Sequence, residues 1–276
     1  MLKKVYLEIG NICNLRCSFC PGTKREPRML SAEEFRILSE KLRGHTKYLY
    51  FHLMGEPLLH PDLEELLRIA RDLGFSVMIT TNGTLLREKG PVLLKSGAVR
   101  KVNLSLQSFE ANERGDFLSY LGDCVSFAGQ AAEAGILCEF RLWNRGGLDA
   151  LNRQIEEVLA EAFPKPWEPS RGGEKLAERV WLDPGDRFDW PDLDLEEKRS
   201  RGFCYGLRDQ IGVLCDGTVV PCCLDHEGDI PLGNLFRQSL EEILNGERAR
   251  AIYEGFSHRK LVEGLCRRCG YAERFG

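Results

Sequence analysis

The chain has 276 residues, 43% of them hydrophobic and 29% charged, with a formal net charge of -4. It therefore carries no overall basic field for nucleic acid or an anionic membrane surface, and no run approaches the ~18 apolar residues that a membrane span needs. The first ten residues show neither a sustained apolar stretch nor a small-residue cleavage site, so they read as a strand and not as a signal peptide, and the expectation is a soluble, cytoplasmic protein.

In chain order, residues 5–9 read as a first strand. Ser31 opens a helix, because Ser31 with Glu34 is a capping-box pair and Phe35, Leu38 and Leu42 fall on one face. Residues 48–54 make a second strand. Pro61 starts the next helix, with Leu63, Leu66, Leu67 and Ala70 in line. A third strand at 75–80 ends in a turn at Asn82 and Gly83, and a short helix around 92–94 leads to a fourth strand at 101–106. Residues 113–134 read as a long helix and 137–143 as a fifth strand. Further on, 151–163 is an amphipathic helix, 164–173 a loop rich in Pro, Gly and Ser, and 179–183 a sixth strand. Residues 210–215 and 218–222 form a hairpin across Asp216 and Gly217, expected as a type I′-like turn, and 239–253 form a helix. Strands alternating with helices imply parallel pairing and right-handed crossovers, hence a barrel or an open α/β sheet.

The 11 cysteines are the unusual feature. Without an export signal, metal or redox chemistry explains them better than disulfides. Cys124 and Cys138 lie in apolar surroundings and read as packing thiols. Cys13, Cys17 and Cys20 lie just beyond the first strand, and strand-end loops are where α/β folds place their sites. Three thiolates in a tight loop can grip three corners of an iron–sulfur cube. Protein-held clusters usually take four cysteines, so three leave one iron open, as an open catalytic zinc site differs from a closed structural one. By spacing alone a zinc loop stays open as the alternative, although the loop offers no fourth ligand.

The Cys13-x3-Cys17-x2-Cys20 loop, with aromatic Phe19 before the last cysteine, resembles that of radical S-adenosylmethionine enzymes. Met54-Gly55-Glu56-Pro57 follows where that family carries Gly-Gly-Glu or a close variant. Asn82 and Gly83 then end the third strand, Ser105 and Gln107 the fourth, and Arg141 lies near the end of the fifth. The resemblance covers residues 1 to about 145. It implies a 4Fe–4S cluster on the three cysteines, with S-adenosylmethionine chelating the open iron. Glu56 and the Gly55 backbone would hold the cofactor ammonium, Arg141 its carboxylate, Ser105 and Gln107 the ribose, the Phe19 backbone the adenine, and Asn82 would contribute as a further contact. Reductive cleavage would release a 5′-deoxyadenosyl radical that abstracts hydrogen from a substrate. Two departures stand out: Met54 replaces a common glycine, and Gln107 a common acidic residue.

Cys204, then Gly217, Cys222 and the pair Cys266-x2-Cys269 resemble the SPASM and twitch extensions of the same superfamily. No cysteine follows this pair, which points to a twitch-type segment with one auxiliary 4Fe–4S cluster on Cys204, Cys222, Cys266 and Cys269. The ligand count alone fits a structural zinc knuckle equally well. Cys215 and Cys223 are extra and read as packed thiols, with Cys223 an alternative ligand or hydrogen-atom donor; Asp225 and His226 are candidates for lining a substrate cavity.

The expected architecture is α/β: an incomplete (β/α)6 TIM-like barrel over 1–200, with its core in 1–145 and a looser closing segment in 146–200. A small α+β cluster-binding twitch domain follows over 201–276. The expected function is hydrogen abstraction from a peptide or protein, a net oxidation or cross-linking assisted by the auxiliary cluster and fed by a reductant such as flavodoxin or ferredoxin. A small-molecule dehydrogenase acting on an aminocyclitol or sugar alcohol is the alternative, and a non-catalytic iron–sulfur carrier the reading from another class. Neither nucleic acid nor membrane is expected as a partner.

Overall fold

The computed structural model describes residues 1–112, 115–170 and 172–275. Its strands are β1 (Lys4–Leu7), β2 (Tyr48–Tyr50), β3 (Ser76–Thr81), β4 (Val99–Ser105), β5 (Leu137–Arg145), β6 (Glu168–Ser170), β7 (Gly173–Ala177), β8 (Val180–Asp186), β9 (Gln210–Val213), β10 (Thr218–Val220) and β11 (Gly233–Asn234). The helices are α1 (Ala32–Leu42), α2 (Leu63–Asp72), α3 (Leu86–Lys95), α4 (Gln107–Glu110), α5 (Phe117–Glu133), α6 (Asn152–Ala162), α7 (Leu240–Leu244), α8 (Glu247–Ser257) and α9 (Gly264–Arg268). One sheet runs β11-β10-β9-β1-β2-β3-β4-β5-β8-β7-β6. From β1 through β5 to β8 every pairing is parallel, which is the six-stranded partial barrel expected from the alternation of strands and helices.

Period-two alternation sorts the strand residues onto two faces. Val5, Leu7, Leu49, Val77, Ile79, Val102, Leu104, Phe140 and Leu182 are all within 3% of full burial against the helices. The opposite, inner face carries Lys4 and Tyr6 of β1, Tyr50 of β2, Lys101 of β4, Glu139 and Arg141 of β5, and Asp183 of β8, most of them half-buried. The apolar face holds the fold together, and the inner face is left polar.

Helix ends follow the local chemistry. Ser31 caps α1 through a complete capping box with Glu34, and Asp116 accepts from the Leu118 and Ser119 amides at the start of α5. Residue 113, the expected start of that long helix, lies outside the described residues.

Several expectations need correction. The 164–173 loop contains β6, which pairs antiparallel with β7 as an edge hairpin; Pro169 is tolerated there because an edge strand can spare an amide. The 239–253 helix is two helices, broken where Gly246 takes extended backbone as the cap of α8. The helix around 92–94 is a full α3 with Pro91 inside it. The turn before β10 is not type I′, because among Asp216 and Gly217 only the glycine has positive φ (+85°). The Gly217 amide bonds the Leu214 carbonyl at 2.8 Å, as in a type I turn followed by a glycine bulge. This hairpin also extends the main sheet, with β9 lying parallel beside β1.

Candidate functional site

The cysteine loop leaves β1 and returns to α1. The Cys13 and Cys20 side chains are exposed and Cys17 is half-buried. Each sulfur already meets an N–H donor: Leu15 at 3.4 Å on Cys13, Asn112 Nδ2 at 3.1 Å on Cys17, and Gly22 at 3.5 Å on Cys20. The surrounding loops take part of the water from the sulfurs even of the exposed Cys13 and Cys20, and this desolvation pushes all three thiols above their ordinary range, Cys17 to about 11, so the thiolate form depends on a metal displacing the proton.

Residues 54–56 set the position of this loop. Gly55 has φ +79°, and a Cβ there would stand 2.5 Å from the Gly10 carbonyl oxygen and 3.0 Å from backbone atoms of Asn11 and Ile12. The Glu56 amide donates to the Ile12 carbonyl at 2.9 Å, so the glycine is required for the loop to lie flat against the end of β2. Glu56 itself is 4% exposed. Its carboxylate accepts from the Leu58 amide at 3.0 Å, Thr81 Oγ1 at 2.7 Å and the Asn82 amide at 2.8 Å. Burial raises its pKa, and these donors pull it back. A carboxylate offers about four acceptor directions, so three are filled by the protein and one is left.

Asn82 ties the loops together. Its Nδ2 donates to Asn14 Oδ1 at 2.9 Å beside Cys13, and its carbonyl accepts from Tyr120 Oη at 2.8 Å and Ser108 Oγ at 3.3 Å. Ser105 ends β4 directly in register with Arg141 of β5. Arg141 Nε is held by Glu139 at 3.0 Å and reaches Asp183 at 3.9 Å, with its guanidinium 4.7 Å from the Trp143 ring centroid. Gln107 opens α4, and its Oε1 is buried with no partner among the described residues, an orphan acceptor that a ligand hydroxyl would satisfy. Phe19 is half-buried and faces Phe188 and Trp190 across a cavity of about 730 Å³. Sulfur ligands with donors in place, a polar inner face and an orphan amide oxygen fit a cluster with a polar organic cofactor beside it.

The C-terminal cysteines converge as well. Cys204, Cys222, Cys266 and Cys269 all line one cavity of about 570 Å³, which also reaches Cys223, Asp225, Lys4 and Tyr6. Among the described residues no three His, Cys, Asp or Glu side chains converge on a point as a single ion would require; the four thiols border a space. Burial, reinforced by the neighbouring thiols, pushes Cys222 well up. Cys223 turns toward Tyr6 and is pushed by burial to about 11. Asp225 caps its own turn through the Asp229 and Ile230 amides, and His226 packs against Trp190. Cys124 and Cys138 are fully buried in the core.

Sequence reasoning missed the joint between the two cysteine sets. Glu8, fully buried, takes a bidentate contact from Arg25 at 2.8 and 2.7 Å. It also accepts from the Met54 and Cys215 amides, each at 3.2 Å. Arg25 Nε donates to the His226 carbonyl and Arg28 Nε to the Cys215 carbonyl, both at 2.8 Å. An acidic residue inside an apolar strand was the available signal; nothing in the spacing marks Arg25.

Comparison with known proteins places both cysteine sets within matched domains. The family model of the Radical SAM superfamily matches residues 7–121, and that of the SPASM iron-sulfur cluster-binding domain matches residues 204–270. The chain is 26% identical to a GTP 3′,8-cyclase of Microcystis aeruginosa (strain NIES-843 / IAM M-2473), with 90% of each chain covered. It is 24% identical to the antilisterial bacteriocin subtilosin biosynthesis protein AlbA of Bacillus subtilis (strain 168), over 96% of this chain and 64% of that protein. The solved structure of native anSMEcpe with bound AdoMet and Cp18Cys peptide shares the fold with a TM-score of 0.66 at 16% identity, covering 98% of this chain and 87% of that one. With a radical SAM domain on the partial barrel and a SPASM-type iron–sulfur segment packed beside it, this chain belongs to the radical S-adenosylmethionine superfamily and uses a 4Fe–4S cluster, S-adenosylmethionine and auxiliary iron–sulfur chemistry.

Proposed function

We propose that this enzyme abstracts hydrogen from a peptide or protein substrate held between the inner face of the barrel and the C-terminal cysteine cavity, in a net oxidation or cross-linking. The carrying observation is that this cavity reaches from the four C-terminal cysteines to Lys4 and Tyr6 of the barrel. Cys13, Cys17 and Cys20 would hold one cluster. Cys204, Cys222, Cys266 and Cys269 would hold the other, and their arrangement around a space supports a cluster over a zinc knuckle. Glu56 with its free acceptor direction, Gly55, Asn82, Ser105, Gln107, Arg141 and the Phe19 backbone would orient S-adenosylmethionine. When bound, these groups supply the one-electron cleavage that makes a hydrogen-abstracting radical and a sink for the second electron. The protein's own part is to fix geometry and exclude water. Residues 1–200 would carry the first site and 201–276 the second, with a flavodoxin or ferredoxin as electron source and neither nucleic acid nor membrane as partner.

The peptide reading draws on the likeness to the bacteriocin biosynthesis protein over 96% of this chain and 64% of that protein. A small-molecule substrate is the second reading, favoured by the likeness to the GTP 3′,8-cyclase over 90% of both chains. Anaerobically reconstituted protein with dithionite and S-adenosylmethionine should form 5′-deoxyadenosine, and Cys13→Ala should abolish it. Deuterium from a labelled peptide should enter that product; its absence, with transfer from a labelled small molecule instead, decides for the second reading. No 5′-deoxyadenosine at full cluster occupancy overturns both. Iron counting should give about eight irons, falling to about four in Cys222→Ala with Cys266→Ala.

A further inference from the structure

The inner face of the barrel carries one cation more than its carboxylates neutralise. Lys101 Nζ lies 2.6 Å from Glu139, and Arg141 shares Glu139 at 3.0 Å and reaches Asp183 at 3.9 Å. Two carboxylates thus serve two cations. Lys4, half-buried on β1, is left over. Its Nζ sits 5.8 Å and 5.7 Å from the ring centroids of Tyr6 and Tyr50, and among the described residues it has no hydrogen-bond acceptor or ion-pair partner. Asp209, also on this side, is taken by Lys3 at 2.7 Å. His52 packs edge-on against the same two tyrosines, but its Nδ1 is buried with no partner among the described residues and it offers no negative charge.

A cation drawn out of water without a counter-charge is unfavourable unless something bound supplies one. The two aromatic faces hold the ammonium in place without neutralising it. Lys4 and Tyr6 line the cavity whose other wall is made by Cys222, Cys223 and Cys266.

We propose that Lys4 anchors the substrate and that the cavity selects a substrate bearing a carboxylate, which in a peptide is an acidic side chain or the C-terminus. The inference rests on the reading that this cavity receives the substrate. Tyr6 and Tyr50 orient the ammonium, while Lys101 and the Nε edge of Arg141 stay paired with Glu139, which leaves the rest of the Arg141 guanidinium to the cofactor role proposed above. A carboxylate paired with Lys4 brings the neighbouring C–H bonds in front of the barrel's inner face.

The test is binding to the anaerobic holoenzyme by saturation-transfer NMR with three probes: acetyl-Gly-Asp-Gly-amide, acetyl-Gly-Asn-Gly-amide and acetyl-Gly-Asn-Gly with a free C-terminal carboxylate. At least one acid probe should bind at least tenfold more tightly than the neutral one, and which acid it is identifies the source of the carboxylate. Lys4→Gln should erase the preference and Lys4→Arg keep most of it, with iron content and circular dichroism unchanged in both. Equal binding of acids and amide, no binding by any probe, or a preference that survives in Lys4→Gln overturns the proposal. So does a shift in the auxiliary-cluster midpoint potential of Lys4→Gln with the preference intact, which would assign the lysine to the cluster. 5′-Deoxyadenosine formation, measured on the same wild-type preparation, separates failure of this site from failure of the reaction itself.

Discussion

Gly55 shows how a single residue makes the cofactor loop. Its φ of +79° and the 2.5 Å gap to the Gly10 carbonyl exclude a side chain on two independent grounds, because the obstructing atoms belong to backbone that cannot rotate away. Gly55→Ala should cost at least ~2 kcal/mol from left-handed backbone and the forced displacement of residues 10–12. Because those residues lead into Cys13, the variant should lose the N-terminal cluster's iron before the C-terminal cluster's; full iron content with an unchanged thermal midpoint would contradict this. The sequence pattern named Gly55 and Glu56 correctly as members of one motif. It could not show that Glu56 spends most of its acceptor capacity on Leu58, Thr81 and Asn82, since those partners come from separate loops.

Among the elements, β2 ends at Tyr50 and not at residue 54 as the pattern suggested, and the segment that follows it sets a titratable group, His52, against Tyr6 and Tyr50 of the barrel's inner face. His52 is pushed down to about 3, by burial first and then by the positive Arg141 and Lys4. Below pH 6.5 the unfolded chain takes up a proton that the folded chain refuses, so stability falls as pH drops through this window toward 3. Between pH 7 and pH 5.5 the loss from this one group is about 1 kcal/mol. His52→Phe keeps an aromatic ring against Tyr6 and Tyr50 but cannot bind a proton, so it should flatten the pH dependence of the anaerobic unfolding midpoint over that range. An unchanged slope would mean that the histidine takes up its proton as readily in the folded chain as in the unfolded one. The long periodic elements were legible because one face of each is apolar and local: α2 and β3 appear within two residues of where the pattern puts them, and α5 lies inside the expected 113–134 stretch but begins only at Phe117, behind its Asp116 cap. The exceptions have local causes too. Gly90 and Pro91 disguised the first half of α3, and Gly246 ended a helix whose apolar period continued past it. The edge hairpin of β6 and β7 is polar and short, so it left no periodic trace.

At the level of the whole molecule, the Glu8–Arg25 pair locks the two cysteine sets together. Removing one partner of a buried pair leaves an uncompensated charge and costs ~3–5 kcal/mol. Arg25→Met should therefore lower the unfolding midpoint by several degrees, and adding Glu8→Gln should recover part of that loss. Strict additivity of the two substitutions would show that the residues are not coupled. The sequence by itself pointed to the α/β class through apolar residues at strand and helix periods, and to the cofactor chemistry through a family resemblance carried by short contiguous stretches: Cys13, Cys17 and Cys20 in one loop, and Cys266 in a short helix with Cys269 at its end. Only the tertiary structure decided that β9 lies beside β1, that Cys215 bonds a carboxylate 207 residues away, and that Lys4 on the inner face has no ion-pair partner among the described residues. Contacts between distant segments depend on how the sheet closes around its core, and that closure leaves no period or spacing in the chain.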